Sequence, residues 1–167
     1  MNLPSHIKLV IFDVDGTLVT TKSGATFRKT ADDWQWLPGR LETLKALHEQ
    51  GTQIALASNQ GGVAFGYMRR KDIINELFKT ALEVGNNVYV AVCFTHPKAT
   101  IEEFRVEDDT RREPGSGMLL ECQEYFLIGP IHTLMVGDRP EDEQAAQNAG
   151  VAFMWAEEFF SEKETKQ

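Results

Sequence analysis

Cysteine is nearly missing from these 167 residues: only Cys93 and Cys122 occur. Two thiols cannot build a disulfide framework or a structural zinc knuckle. Cys93 lies in an apolar run and Cys122 in a helix-like stretch, so both read as reduced core residues. Long apolar runs are missing as well. No segment reaches the roughly 18–20 residues that cross a membrane, and the N-terminus carries no apolar signal core. A cytoplasmic chain with no membrane partner is the expectation. Basic charge is in deficit: 17 Lys and Arg against 25 Asp and Glu give a formal charge of −8. That argues against a surface that coats nucleic acid, but leaves room for one nucleic-acid end at a metal site. Internal repeats and low-complexity tracts are absent too.

What is present fits one ordinary globular domain, residues 1–167, long enough to bury its own core. Apolar runs near Leu9–Val14, Gln53–Ala57, Asn87–Phe94, Thr133–Val136 and Val151–Met154 read as strands. Helical patterns lie between them. One holds Leu41, Leu44, Ala46 and Leu47, opens after Pro38 and stops at Gly51. Another holds Ile73, Ile74, Leu77, Phe78, Ala81 and Leu82 and ends near Gly85. Met118–Ile128, Arg139–Ala149 and a short terminal segment around Phe159 and Phe160 complete the set. Such alternation predicts an α/β fold, a parallel sheet with helices on both faces. Residues 17–36 suffice for a small flap, and residues 60–72 for a loop and the start of a helix. No large cap is possible, so the site stays open.

Three strand ends carry the chemistry. Leu9 to Phe12 run into Asp13-Val14-Asp15-Gly16-Thr17. The carboxyl end of a strand in an open α/β sheet is where ligands bind. Two acids so close repel unless a cation lies between them, and oxygen-only ligation suits Mg²⁺. A bare Asp-x-Asp is common on surface loops; the order of the next elements gives this one weight. Ile54-Ala55-Leu56-Ala57 ends at Ser58 and Asn59. Ser58 and nearby backbone N–H groups can hold a phosphoryl oxygen, or Ser58 can cap a helix. Leu134-Met135-Val136-Gly137 ends at Asp138, with Pro140 in a first helical turn and Asp142 four residues on. Asp138 can complete the metal site with Asp142 in support. Lys22 and Arg28 can meet flanking phosphates. Trp34 and Trp36 can stack on a base or simply pack.

The Asp13 to Thr17 segment resembles the first motif of the haloacid dehalogenase-like (HAD) phosphotransferases. Ser58 resembles their second motif, and Gly137-Asp138 through Asp142 followed by Ala145-Ala146 and Ala149-Gly150 resembles their fourth. The resemblance implies a Rossmann-like sheet with a minimal cap and a phosphatase. It makes Asp13 the nucleophile and Asp15 the acid and base. Ser58 becomes a phosphoryl ligand, and Mg²⁺ sits on Asp13, the carbonyl of Asp15 and Asp138. Gly16, Thr17, Asn59 and Lys22 complete the substrate-binding set. The run Thr21-Lys22-Ser23-Gly24 to Phe27 with Asp33-Trp34 resembles the flap of the DNA 3′-phosphatase domain of polynucleotide kinase-phosphatases. Asn59-Gln60-Gly61-Gly62, Gly117-Met118 and Glu157 to Phe160 resemble further parts of it. Hydrolysis of a nucleic-acid 3′-phosphate is the leading expectation.

Two alternatives stay open. Histidinol-phosphate and heptose-bisphosphate phosphatases are capless relatives with a Cys/His zinc loop before the third motif. His96 to Arg112 contains no cysteine, so that loop cannot form here. The other alternative is a binding module with a relic site. The related families carry Arg-Lys-Pro where this chain has Arg112-Glu113-Pro114. Arg112 is expected to supply the missing cation, with Arg111, His96 and Lys98 as other sources. No G-x-x-x-x-G-K-[ST] run occurs, so a kinase activity would need a separate partner.

Overall fold

The computed structural model describes residues 3–161. Five strands form one parallel sheet: β1 (Leu9–Asp13), β4 (Gln53–Asn59), β5 (Tyr89–Cys93), β6 (Thr133–Gly137) and β7 (Ala152–Trp155). Their order across the sheet is β5-β4-β1-β6-β7. The expected α/β architecture is therefore present, with strand ends within a few residues of the apolar runs.

Helices cover both faces because β1 alternates. Val10 and Phe12 join a cluster with Leu44, Leu77 and Phe159, which brings in α1 (Arg40–Glu49), α3 (Arg70–Val84) and α6 (Ala156–Ser161). Leu9 and Ile11 point the other way, to Met118, Cys122 and Ala145 on α4 (Gly117–Phe126) and α5 (Pro140–Ala149). Both cysteines are buried and free, as their apolar settings predict. The short α6 cannot hold as an isolated helix. It is pinned by Phe159, whose ring meets Phe12 edge-on with centroids 5.4 Å apart. Such a pair adds roughly 0.5–1.5 kcal/mol beyond its buried area.

Connectivity decides where a ligand can sit. From β1 the chain moves to β4 and β5 on one side, then returns to β6 and β7 on the other. The switch lies at β1, and crevices open outside the carboxyl ends of strands at such a point. Asp13, Asn59 and Gly137 are the last residues of β1, β4 and β6.

The expected flap is a two-stranded antiparallel sheet, β2 (Val19–Thr20) against β3 (Gln35–Trp36). Between β4 and α3 lies only the four-residue α2 (Gly61–Ala64). No described helix is long and apolar enough to cross a membrane.

Candidate active site

Asp13 lies at the floor of a 780 Å³ cleft bounded by the flap, the β4 end and the loop after β6. Gly16 follows it at φ 94°, a conformation that glycine adopts without strain. A Cβ there would also run into the Asp138 carboxylate. Gly16 is thus required for the close approach of two strand ends, and it lines the cleft as well. Thr17 is fully buried, and its Oγ1 lies 3.1 Å from both Asp13 Oδ2 and Asp138 Oδ1. It holds the two carboxylates side by side.

Asp142 is buried, and its Oδ2 accepts the backbone N–H groups of Asp138 and Arg139 at 3.0 Å each. A carboxylate in the first turn of a helix reaching back to the N-cap is a recurrent helix start. Asp142 therefore sets the direction of Asp138.

The Asp15 side chain also lines the cleft but has other partners. Arg28 Nε donates to one of its oxygens at 2.8 Å and Gln60 Nε2 to the other at 2.7 Å. Gln60 Nε2 also donates to Ser58 Oγ at 2.8 Å. That leaves the Ser58 hydroxyl proton free to donate into the cleft. Gln60 joins the first and second motifs, and in the sequence it stood out only as part of the Asn59-Gln60-Gly61-Gly62 run. Arg28, expected near flanking phosphates, lines the cleft with its guanidinium bonded to Asp15 and to the Ala31 carbonyl. Lys22 is exposed and lies outside the residues lining the cleft.

Trp34 and Trp36 pack instead of facing a base. Their Nε1 groups donate to Glu76 and Glu83 of α3, both at 2.9 Å. Asp33 stitches the flap loop by accepting from Ser23 N and Oγ and from Lys29 N. The Lys29 N–H and the Ser23 hydroxyl lower its carboxyl from 3.8 to about 2. A lowered carboxylate favours folding above its unfolded value and loses that contribution as pH falls through the folded one. Tryptophan fluorescence should therefore report flap opening between pH 3.8 and about 2. In Asp33→Asn the flap should be loosened already at neutral pH, without that acid step.

Glu113 gives the largest departure from expectation. It is 6 % exposed and its side chain is turned into the site. Its backbone N–H donates to Asn59 Oδ1 at 3.3 Å, and Asn59 Nδ2 reaches its carbonyl at 3.5 Å. Asn59, which also lines the cleft, thus holds the Glu113 loop. Carboxylate oxygens of Asp13, Glu113 and Asp142 lie within 4.8 Å of one another. Burial first, then the charge of Asp142 and its hydrogen bond, push the Glu113 carboxyl up to about 8. Arg112 and Arg139 pull it down, but are outweighed. Arg112 lines the cleft with Nη1 bonded to the Thr95 carbonyl at 2.8 Å. Arg111 is spent on Glu121. His96 lines the cleft too, whereas Lys98 does not.

Asp13 is raised well above the usual carboxylate range, by burial first and then by the charges of Asp142, Glu113, Asp138 and Asp15. A protonated carboxyl is a poor nucleophile, so the site calls for a cation. Hard oxygen donors with no basic side chain among their described ion pairs fit Mg²⁺.

The family model "Polynucleotide kinase 3 phosphatase" matches residues 8–160. The chain is 30% identical over 152 residues to a D-glycero-beta-D-manno-heptose-1,7-bisphosphate 7-phosphatase of Photorhabdus laumondii, covering 87% of this chain and 77% of that protein. The Escherichia coli K12 protein of the same name is 28% identical, covering 89% and 78%. The crystal structure of D,D-heptose 1.7-bisphosphate phosphatase from B. bronchiseptica, complexed with magnesium and phosphate, superposes with a TM-score of 0.71 at 27% identity, covering 88% of this chain and 79% of that one. Fold, strand-end carboxylates and relatives agree: this chain belongs to the polynucleotide kinase 3 phosphatase family and is a HAD-like phosphatase.

Proposed function

We propose that this phosphatase hydrolyses a small phosphorylated substrate, a sugar or nucleotide phosphate, through an aspartyl-phosphate on Asp13. One observation carries the choice of substrate. Among the described residues lining the cleft, the carboxylates of Asp13, Asp15, Glu113, Asp138, Glu141 and Asp142 outnumber the basic side chains of Arg28, His96, Arg112 and Arg139, and Arg28 is already paired with Asp15. A polynucleotide strand needs cations along its backbone. The heptose-bisphosphate phosphatases among the relatives point the same way, more strongly than to the 3′-end expected from the flap.

Asp13 attacks phosphorus while the bond to the leaving oxygen breaks, and Asp15 gives that oxygen its proton. Asp15 then takes a proton from water, which attacks the phosphoryl group and frees Asp13. Ser58 and Arg112 hold phosphoryl oxygens as charge gathers there. Asp13, the Asp15 carbonyl and Asp138, supported by Asp142, would hold Mg²⁺, which when bound would shield the charge of the incoming phosphate.

A nucleic-acid 3′-phosphate is the second reading, favoured by the rim. Phe27 and Tyr67 line the cleft and are 71 % and 76 % exposed, faces on which a base can stack. Phosphate release with Mg²⁺ should be compared across sugar bisphosphates, nucleoside monophosphates and 3′- and 5′-phosphorylated oligonucleotides. The highest kcat/KM is expected on a small substrate. Preference for the oligonucleotide 3′-phosphate, lost in Phe27→Ala or Tyr67→Ala, would overturn the first reading.

A further inference from the structure

We propose that Asp13, Glu113 and Asp142 form a second cation site, which takes a hard divalent cation and is distinct from the place between Asp13 and Asp138. The first support is geometric. Oxygen ligands of a hard cation at roughly 2.0–2.6 Å lie about 3–5 Å from one another. One oxygen from each of these three carboxylates falls within 4.8 Å of the others. All three residues are buried.

The second support is an unpartnered atom. Glu113 Oε1 is buried and has no hydrogen-bond partner among the described residues. A buried acceptor left without a donor is destabilising, the more so when charged. The Glu113 loop does not drift into this position by default. Asn59 clamps its backbone from both sides, so the carboxyl is held facing Asp13 and Asp142.

The third support is charge. No described lysine, arginine or histidine makes an ion pair with Asp13, Glu113 or Asp142. Buried charges are paired, neutralised or bound to a metal. The two backbone N–H bonds to Asp142 both fall on Oδ2, so no described backbone donor is spent on its Oδ1. A divalent ion here relieves the repulsion among three buried carboxylates. It also places positive charge beside Asp13, where the attacking oxygen and the phosphoryl group meet. The side chain that departs from the expected Arg-Lys-Pro run thus becomes a ligand for the charge it fails to supply.

The test counts ions on the intact 167-residue chain without substrate, so it is independent of the substrate reading. Mn²⁺ is the probe: electron paramagnetic resonance gives stoichiometry, and anomalous scattering gives position. Two ions per chain are expected, one of them among Asp13, Glu113 and Asp142. Glu113→Gln should weaken that ion at least about 10-fold. Glu113→Lys should remove it by bringing its own ammonium, and Asp138→Asn should leave it in place. A single ion between Asp13 and Asp138, with affinity unchanged in Glu113→Gln, would overturn the proposal. In that case Glu113 and Asp142 share a proton instead.

Discussion

Asp13→Asn is expected to lower kcat by at least about 10⁴-fold, the scale seen when a covalent nucleophile is removed. The fold should survive. Asn keeps an oxygen that can accept from Thr17 Oγ1, the bond Asp13 makes at 3.1 Å. It also removes one of several acids that repel each other there. Thermal unfolding without divalent ions should therefore occur at the same temperature or higher. Unfolding and turnover thus move independently, which separates a lost nucleophile from a lost structure. Retention of a substantial fraction of activity by this variant would refute the aspartyl-phosphate.

The second large effect belongs to Asp15→Asn. Loss of a general acid and base costs typically 10²–10⁴-fold. Its size should depend on the leaving group. An alkoxide needs a proton as it departs, and a p-nitrophenolate does not. With p-nitrophenyl phosphate, Asp15→Asn should release about one equivalent of nitrophenolate per site and then stall. The first step no longer needs the acid, and the second still needs the base. Equal losses on alkyl and aryl substrates, with no burst, would remove Asp15 from proton transfer. Arg28 and Gln60 hold both Asp15 oxygens, so either side chain should affect this step through orientation alone.

Much of this site was legible in the chain. Asp13, Ser58 and Asp138 each follow a run of apolar residues, and such runs become buried parallel strands. Their ends converge for a topological reason, so these three residues could be grouped before any coordinates. Gly16 was legible as a break, but not as the gap that Asp138 needs. The two-residue flap strands were too short for any periodicity to show.

Loop residues were not legible in the same way. Lys22 and Arg28 stand six positions apart in one flap, yet one is exposed and the other buried on Asp15. Trp34 and Trp36 could be read as stacking faces or as packing until Glu76 and Glu83 claimed their N–H groups. Glu113 is the sharpest case, since its residue type argues for solvent. Strand side chains follow a period set by the backbone itself. A loop side chain points where distant partners hold its backbone. Sequence alone places Asp13, Ser58 and Asp138 at one end of the sheet. Only tertiary contact, through Asn59 on Glu113 and Arg28 on Asp15, decides which charges face the phosphoryl group.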